Sequence, residues 1–176
     1  MTTSRVFFAL PPAADVRAPL AQIAREVAAS TGGRASAEDS IHLTLAFVGD
    51  VPRDREPALL TIGSRMRGGR FELALDRLGG FHRARVAWIA PCAVPRALLD
   101  LQHAIAAALS AQDFAVDSRP FTAHVTLARH CRDVPLATSA CTTRVDWPVR
   151  EFALWQSTPA AGGARYREFA RWPLGD

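Results

Sequence analysis

The chain has 176 residues, a formal charge of +4 and 49% apolar side chains, enough for a globular domain with a real core and too apolar for a disordered segment. All 21 of its cationic side chains are arginine, which excludes chemistry that needs a lysine: a Schiff base, a lysyl-nucleotide intermediate, or the GK[ST] of a P-loop. The pI of about 9.7 suits an anionic ligand such as RNA, although an arginine-rich surface alone would give the same value.

In chain order, Arg5 to Leu10 is a β-rich run stopped by Pro11-Pro12, which predicts a mostly buried first strand. It is too short for a signal sequence or a membrane span. Val16, Leu20, Ile23 and Val27 fall on one helical face, with Pro19 early and Gly32-Gly33 just beyond the end. The polar stretch 31–40 reads as a loop. Ile41 to Val48 predicts a second strand closed by Gly49-Asp50, and 52–66 a weaker helix broken by Gly68-Gly69. Phe71, Leu73 and Leu75 alternate with polar neighbours, as in a half-buried strand. Gly79-Gly80 reads as a turn before a strand over 86–90. Leu98, Leu101, Ile105 and Leu109 predict another helix, begun near Pro95. Phe121 to Arg129 predicts a strand. The tail offers strands over 142–145, 152–156 and 166–172, with a hairpin loop over 158–163. Mixed order with hairpins favours an α+β fold over a doubly wound parallel sheet. Nothing marks a linker, so residues 1–176 are expected to form one domain.

One internal repeat stands out. Ile41-His42-Leu43-Thr44-Leu45-Ala46-Phe47 matches Ala123-His124-Val125-Thr126-Leu127-Ala128-Arg129, 82 residues later. Half a chain of separation suggests two related lobes. Strand residues i and i+2 share a face, so His42 points with Thr44 and His124 with Thr126. If the two faces meet across a cleft, two imidazoles and two hydroxyls surround one small anion. That set suits phosphodiester cleavage. One imidazole can take a proton from the nucleophile while the other, protonated, gives one to the leaving oxygen. Threonine hydroxyls and an arginine fork can hold the phosphoryl oxygens. Strict alternation puts Arg129 on the opposite face from His124, so it reaches the anion only if the strand ends or bulges first.

These segments resemble the two H-x-[ST]-x signatures of the 2H phosphoesterase superfamily. More closely, Arg5 to Pro11, His42 to Gly49, Leu78-Gly79-Gly80-Phe81, Phe121 to Arg129, and Tyr166 with Trp172-Pro173-Leu174 are similar to the bacterial and archaeal RNA 2′,3′-cyclic phosphodiesterases, formerly called 2′-5′ RNA ligases. Two departures are Ala123 and His82, where many members carry proline. The resemblance implies a bilobal α+β fold with pseudo-two-fold symmetry, two antiparallel sheets flanking a central cleft and helices outside. It implies metal-independent hydrolysis of a terminal 2′,3′-cyclic phosphate to a 2′-phosphate, with no cofactor, and reversible ATP-independent joining of RNA ends through a 2′-5′ linkage. His124 would be the base and His42 the acid, an order the nearly symmetric motifs cannot supply. Thr44, Thr126 and Arg129 would contact phosphate, and Phe47 would stack on the terminal base unless it is a core aromatic. The implied partner is RNA with cyclic phosphate ends, tRNA fragments among them, or small cyclic nucleotides, bound by a monomer with no membrane involved; the cysteine usage and the short first apolar run make a reducing cytoplasm the default expectation. The competing readings are cleavage of 2′-5′ oligoadenylate or a small cyclic nucleotide, and an RNA-binding module without turnover.

Other residues promise less. His103 lies off the apolar stripe of its helix and reads as a surface histidine. Cys92, His130, Cys131 and Cys141 match no common zinc spacing. An odd cysteine count without C-x-x-C argues against a disulfide framework. His82, Arg83 and Arg85 read as a solvated loop or an RNA-facing patch, and the four tryptophans as core or rim.

Overall fold

A computed structural model describes residues 3–117, 119–135, 144–160 and 163–175. β1 (Thr3–Leu10) leads into α1 (Ala14–Thr31), which buries Val16, Leu20, Ile23 and Val27 as the pattern requires. Gly32 ends the helix in the left-handed region at φ 61°, its N–H returning to the Ala28 carbonyl. The stretch expected as a loop holds a two-residue strand, β2 (Arg34–Ala35), and a 3-10 turn over Glu38–Ser40. β3 (Leu43–Pro52) does not stop at Gly49. That glycine takes φ 87°, at a shift in register with β1, so the strand bulges and continues.

α2 (Glu56–Arg65), β4 (Phe71–Leu75), β5 (Arg77–Phe81), β6 (Val86–Ala90) and α3 (Arg96–Ser110) follow. The turn expected at Gly79-Gly80 falls instead on residues 82–85, and both glycines lie inside β5. A Cβ on Gly79 would stand 2.4 Å from the Trp88 ring, and one on Gly80 2.0 Å from a Val134 methyl. These glycines admit side chains rather than bend the chain. β7 (Val125–Arg129) begins four residues later than expected. β8 (Val145–Val149) carries Pro148 and pairs with β4, a two-stranded setting where every strand is an edge and proline is tolerated. β9 (Glu151–Ala160) and β10 (Gly163–Pro173) complete the chain. Cys141, the first half of the strand expected over 142–145 and the tip of the β9–β10 hairpin lie outside the described residues.

The fold is α+β. One antiparallel sheet runs β10-β9-β1-β3-β7-β6-β5, with β2 also on β7, and β4–β8 form a second sheet. The large sheet is two halves of four strands joined at β3 and β7 by a single register pair, Leu43↔Val125. The helices cross over: α1 packs on β7 and α3 on β3. The main core lies under the helices, where Phe8, Leu10, Leu43, Trp147 and Phe152 are fully buried. The other face of the first half carries a separate cluster of Phe7, Ala9, Ala153 and Trp155, with Tyr166 against it. Among the described residues, no helix is long and apolar enough to cross a membrane.

Candidate functional site

The seam between the two halves fixes the site. Leu43 and Val125 face each other and are wholly buried. Continuing the antiparallel register one residue each way sets His42 opposite Thr126 and Thr44 opposite His124. All four then point away from the core, around a local two-fold axis through the Leu43–Val125 pair. Diagonal neighbours in such a ladder are about 7–8 Å apart, close enough for both imidazoles to reach one phosphoryl group.

The symmetry extends to a bulge in each strand. β1 pairs Phe8 with Ala46 and Ala9 with Thr44, passing over Leu45. β6 pairs Ala87 with Ala128 and Trp88 with Thr126, passing over Leu127. In both strands the Leu-Ala pair is buried together and the next residue emerges, so Leu43–Phe47 and Val125–Arg129 share one burial pattern. The bulge resets alternation. It brings Arg129 to the face of His124 and Thr126, which plain alternation forbids, and gives Phe47 the matching place beyond Thr44.

Each histidine is anchored in the same way. His42 Nδ1 is 2.7 Å from the Ser40 carbonyl, and His124 Nδ1 is 2.7 Å from the Thr122 carbonyl. A carbonyl only accepts, so each Nδ1 carries a hydrogen and each neutral ring leaves Nε2 with its lone pair free. His42 Nε2 takes the Thr44 hydroxyl at 3.1 Å.

The surroundings differ. The rings of Phe7, Trp155 and Tyr166 lie 4.9, 5.1 and 5.1 Å from the His42 ring. His124 has Phe81 edge-on at 5.0 Å. Burial lowers the His42 pKa from 6.5 to about 4, against the Ser40 hydrogen bond and with help from the charges of Arg129 and His124. His124 is lowered too, by burial and by Arg129. Both imidazoles are therefore neutral at neutral pH in the free protein.

Beside His42 opens a pocket of about 280 Å³ that reaches Thr126, Arg129, Arg34, Ser36 and Tyr166. Phe47 is no core aromatic: it is 41% exposed, with the Arg5 guanidinium 5.2 Å over its ring. His103 is exposed. The 82–85 turn is solvated, with Arg85 donating to the Cys131 carbonyl. Trp147 is core, whereas Trp88 and Trp155 are buried beside the site. Among the described residues, no three of His, Cys, Asp and Glu are grouped to hold a metal ion. Arg34 and Ser36 escape sequence reading because they sit in a polar, aperiodic stretch. They reach the site by pairing with β7, where the Ser36 N–H and hydroxyl donate to the Leu127 and Thr126 carbonyls.

Residues 6–160 match the family model of the 2′-5′ RNA ligase superfamily. The chain is 34% identical over 172 residues to an RNA 2′,3′-cyclic phosphodiesterase of Escherichia coli K12, covering 97% of this chain and 96% of that one. The crystal structure of E. coli LigT in apo form superposes with a TM-score of 0.88 at 31% identity over the whole of both chains. LigT complexed with 3′-AMP gives 0.88 at 32% identity over 99% of both chains.

Proposed function

We infer the reaction from one premise: this chain belongs to the 2′-5′ RNA ligase superfamily, within the two-histidine (2H) phosphoesterases. It hydrolyses the 2′,3′-cyclic phosphate at an RNA end to a 2′-phosphate. The observation that supports this reading is the cross-strand register: the Leu43↔Val125 pair puts two Nδ1-anchored imidazoles and two threonines on neighbouring positions of the two strands.

His124 Nε2 takes a proton from water as the water oxygen bonds to phosphorus. The P–O3′ bond breaks in line, and O3′ takes the proton that His42 carries on Nε2. Thr44, Thr126 and Arg129 hold the phosphoryl oxygens, and their donors strengthen as charge builds there. The negative charge of the cyclic phosphate monoanion, set against His42, favours the protonated imidazole and also offsets Arg129. Positioned acid–base catalysis of this kind is worth about 10²–10⁴-fold. An RNA 5′-hydroxyl in place of water gives a 2′-5′ linkage by the same steps, and neither direction consumes ATP. Phe47 offers a face for the terminal base, on the His124 side.

The test is turnover of a short RNA ending in a 2′,3′-cyclic phosphate, beside 2′-5′ oligoadenylate, with excess EDTA throughout. The expected result is a 2′-phosphate product from the first substrate and little reaction with the second. Preference for the oligoadenylate, or loss of activity in EDTA that added divalent metal restores, contradicts the proposal.

A further inference from the structure

The reacting phosphate does not account for the whole pocket. Arg34 on β2 is the register partner of Arg129 on β7, so two guanidiniums stand on directly opposed positions. Like charges placed so repel. Among the described residues, no carboxylate pairs with either. Both line the pocket beyond His42, with the Ser36 and Tyr166 side chains. Two register-paired arginines in a cleft, with no carboxylate partner among the described residues, suit more anionic charge than one phosphoryl group brings. The pair lies on one side only. The position matching Arg129 in the other half is Phe47, an aromatic.

Ribose connectivity says which anion belongs there. With His42 facing O3′, the neighbouring C4′ and C5′ run toward the His42 side, and C1′ with its base runs toward the His124 side. The group emerging past His42 is therefore the 5′ arm of the terminal nucleotide, whose next charge is its 5′-phosphate. The Arg129 backbone lies three residues beyond Thr126, roughly 7–10 Å along the strand, so its side chain reaches back to the reacting phosphate while Arg34, across from it, is left for the next charge along the strand. We propose that Arg34, across from Arg129, binds the phosphate on the 5′ side of the terminal nucleotide, so that the site takes an RNA strand of two or more nucleotides in preference to a nucleoside cyclic phosphate. This inference rests on the reading of the reaction given above.

The test compares wild type with Arg34→Gln and Arg34→Lys on three substrates: adenosine 2′,3′-cyclic phosphate, the same compound with a 5′-phosphate, and a dinucleotide ending in a 2′,3′-cyclic phosphate. Arg34→Gln is expected to lower kcat/KM for the dinucleotide about ten- to a hundredfold more than for the unphosphorylated nucleoside, the size of a charge-assisted hydrogen bond. Arg34→Lys is expected to recover part of the loss. Equal losses on all substrates, or none on the dinucleotide, overturn the assignment. If the 5′-phosphorylated nucleotide behaves as the dinucleotide does, a terminal phosphate suffices. If it behaves as the plain nucleoside does, the internucleotide diester is the ligand. Both results uphold the site. Direct binding separates this idea from the reaction itself. Wild type should bind adenosine 3′,5′-bisphosphate more tightly than 3′-AMP, and Arg34→Gln should narrow that gap at least fivefold. A narrowed gap in a protein that leaves cyclic phosphates intact would sink the proposed reaction and keep the anion site. An unchanged gap would sink the site.

Discussion

Protonating His42 in the free protein should destabilise the fold, by an amount the structure sets. Burial among Phe7, Trp155 and Tyr166 lowers its pKa from 6.5 to about 4. Between those values the unfolded chain holds more protons than the folded one, so stability falls as pH falls. The contribution of neutral His42 is whole above pH 6.5 and is lost progressively toward pH 4. Integrating at 1.36 kcal/mol per pH unit gives a loss of about 2 kcal/mol between pH 7.5 and pH 5, approaching a ceiling of about 3 kcal/mol below pH 4. The comparison variant is His42→Gln, which cannot charge, measured by urea unfolding at both pH values. Wild type should lose about 2 kcal/mol more than the variant on acidification. Millimolar phosphate should shrink the difference, because an anion bound beside His42 favours its protonated form in the folded protein. Parallel pH dependence in the two proteins, or an NMR titration of His42 at 6.5 or above, would refute the reasoning.

Two further outcomes follow from the same geometry. Because both imidazoles are lowered in the free protein, the bell of kcat/KM against pH should already be descending below pH 6.5, while that of kcat, which reports the loaded site, should peak at higher pH. Macroscopic values of the pair are what such profiles yield, and a kcat/KM that climbs to a plateau above pH 7 would speak against a required acid. Gly79→Ala puts a Cβ 2.4 Å from the Trp88 ring. It should cost about 1–3 kcal/mol in urea unfolding and also slow turnover, since Trp88 backs Phe81 and Phe81 meets His124. Unchanged stability would mean the indole is free to move.

The two histidines of the candidate site were legible because their signal is local and doubled. His-x-Thr in an apolar strand fixes which side chains share a face, and the second copy supplies the partner. Arg129 was half legible: its residue type suits phosphate, but only a bulge brings it round. No periodicity announces a bulge, although both copies carry the same Leu-Ala pair where it falls. Gly79-Gly80 misled because glycine serves a turn and a close approach equally well, and only Trp88 and Val134 decide between them. Arg34 and Tyr166 were not legible as site residues. Each reaches the pocket through strands that assemble from distant segments.

The most direct measurement is single-turnover cleavage of an RNA bearing a cyclic phosphate end by wild type, His42→Ala and His124→Ala, with 3′-AMP affinity measured alongside. Convergence of both imidazoles on one phosphorus predicts that each variant loses about 10²–10⁴-fold in rate while still binding 3′-AMP. Wild-type rates from either variant would contradict it.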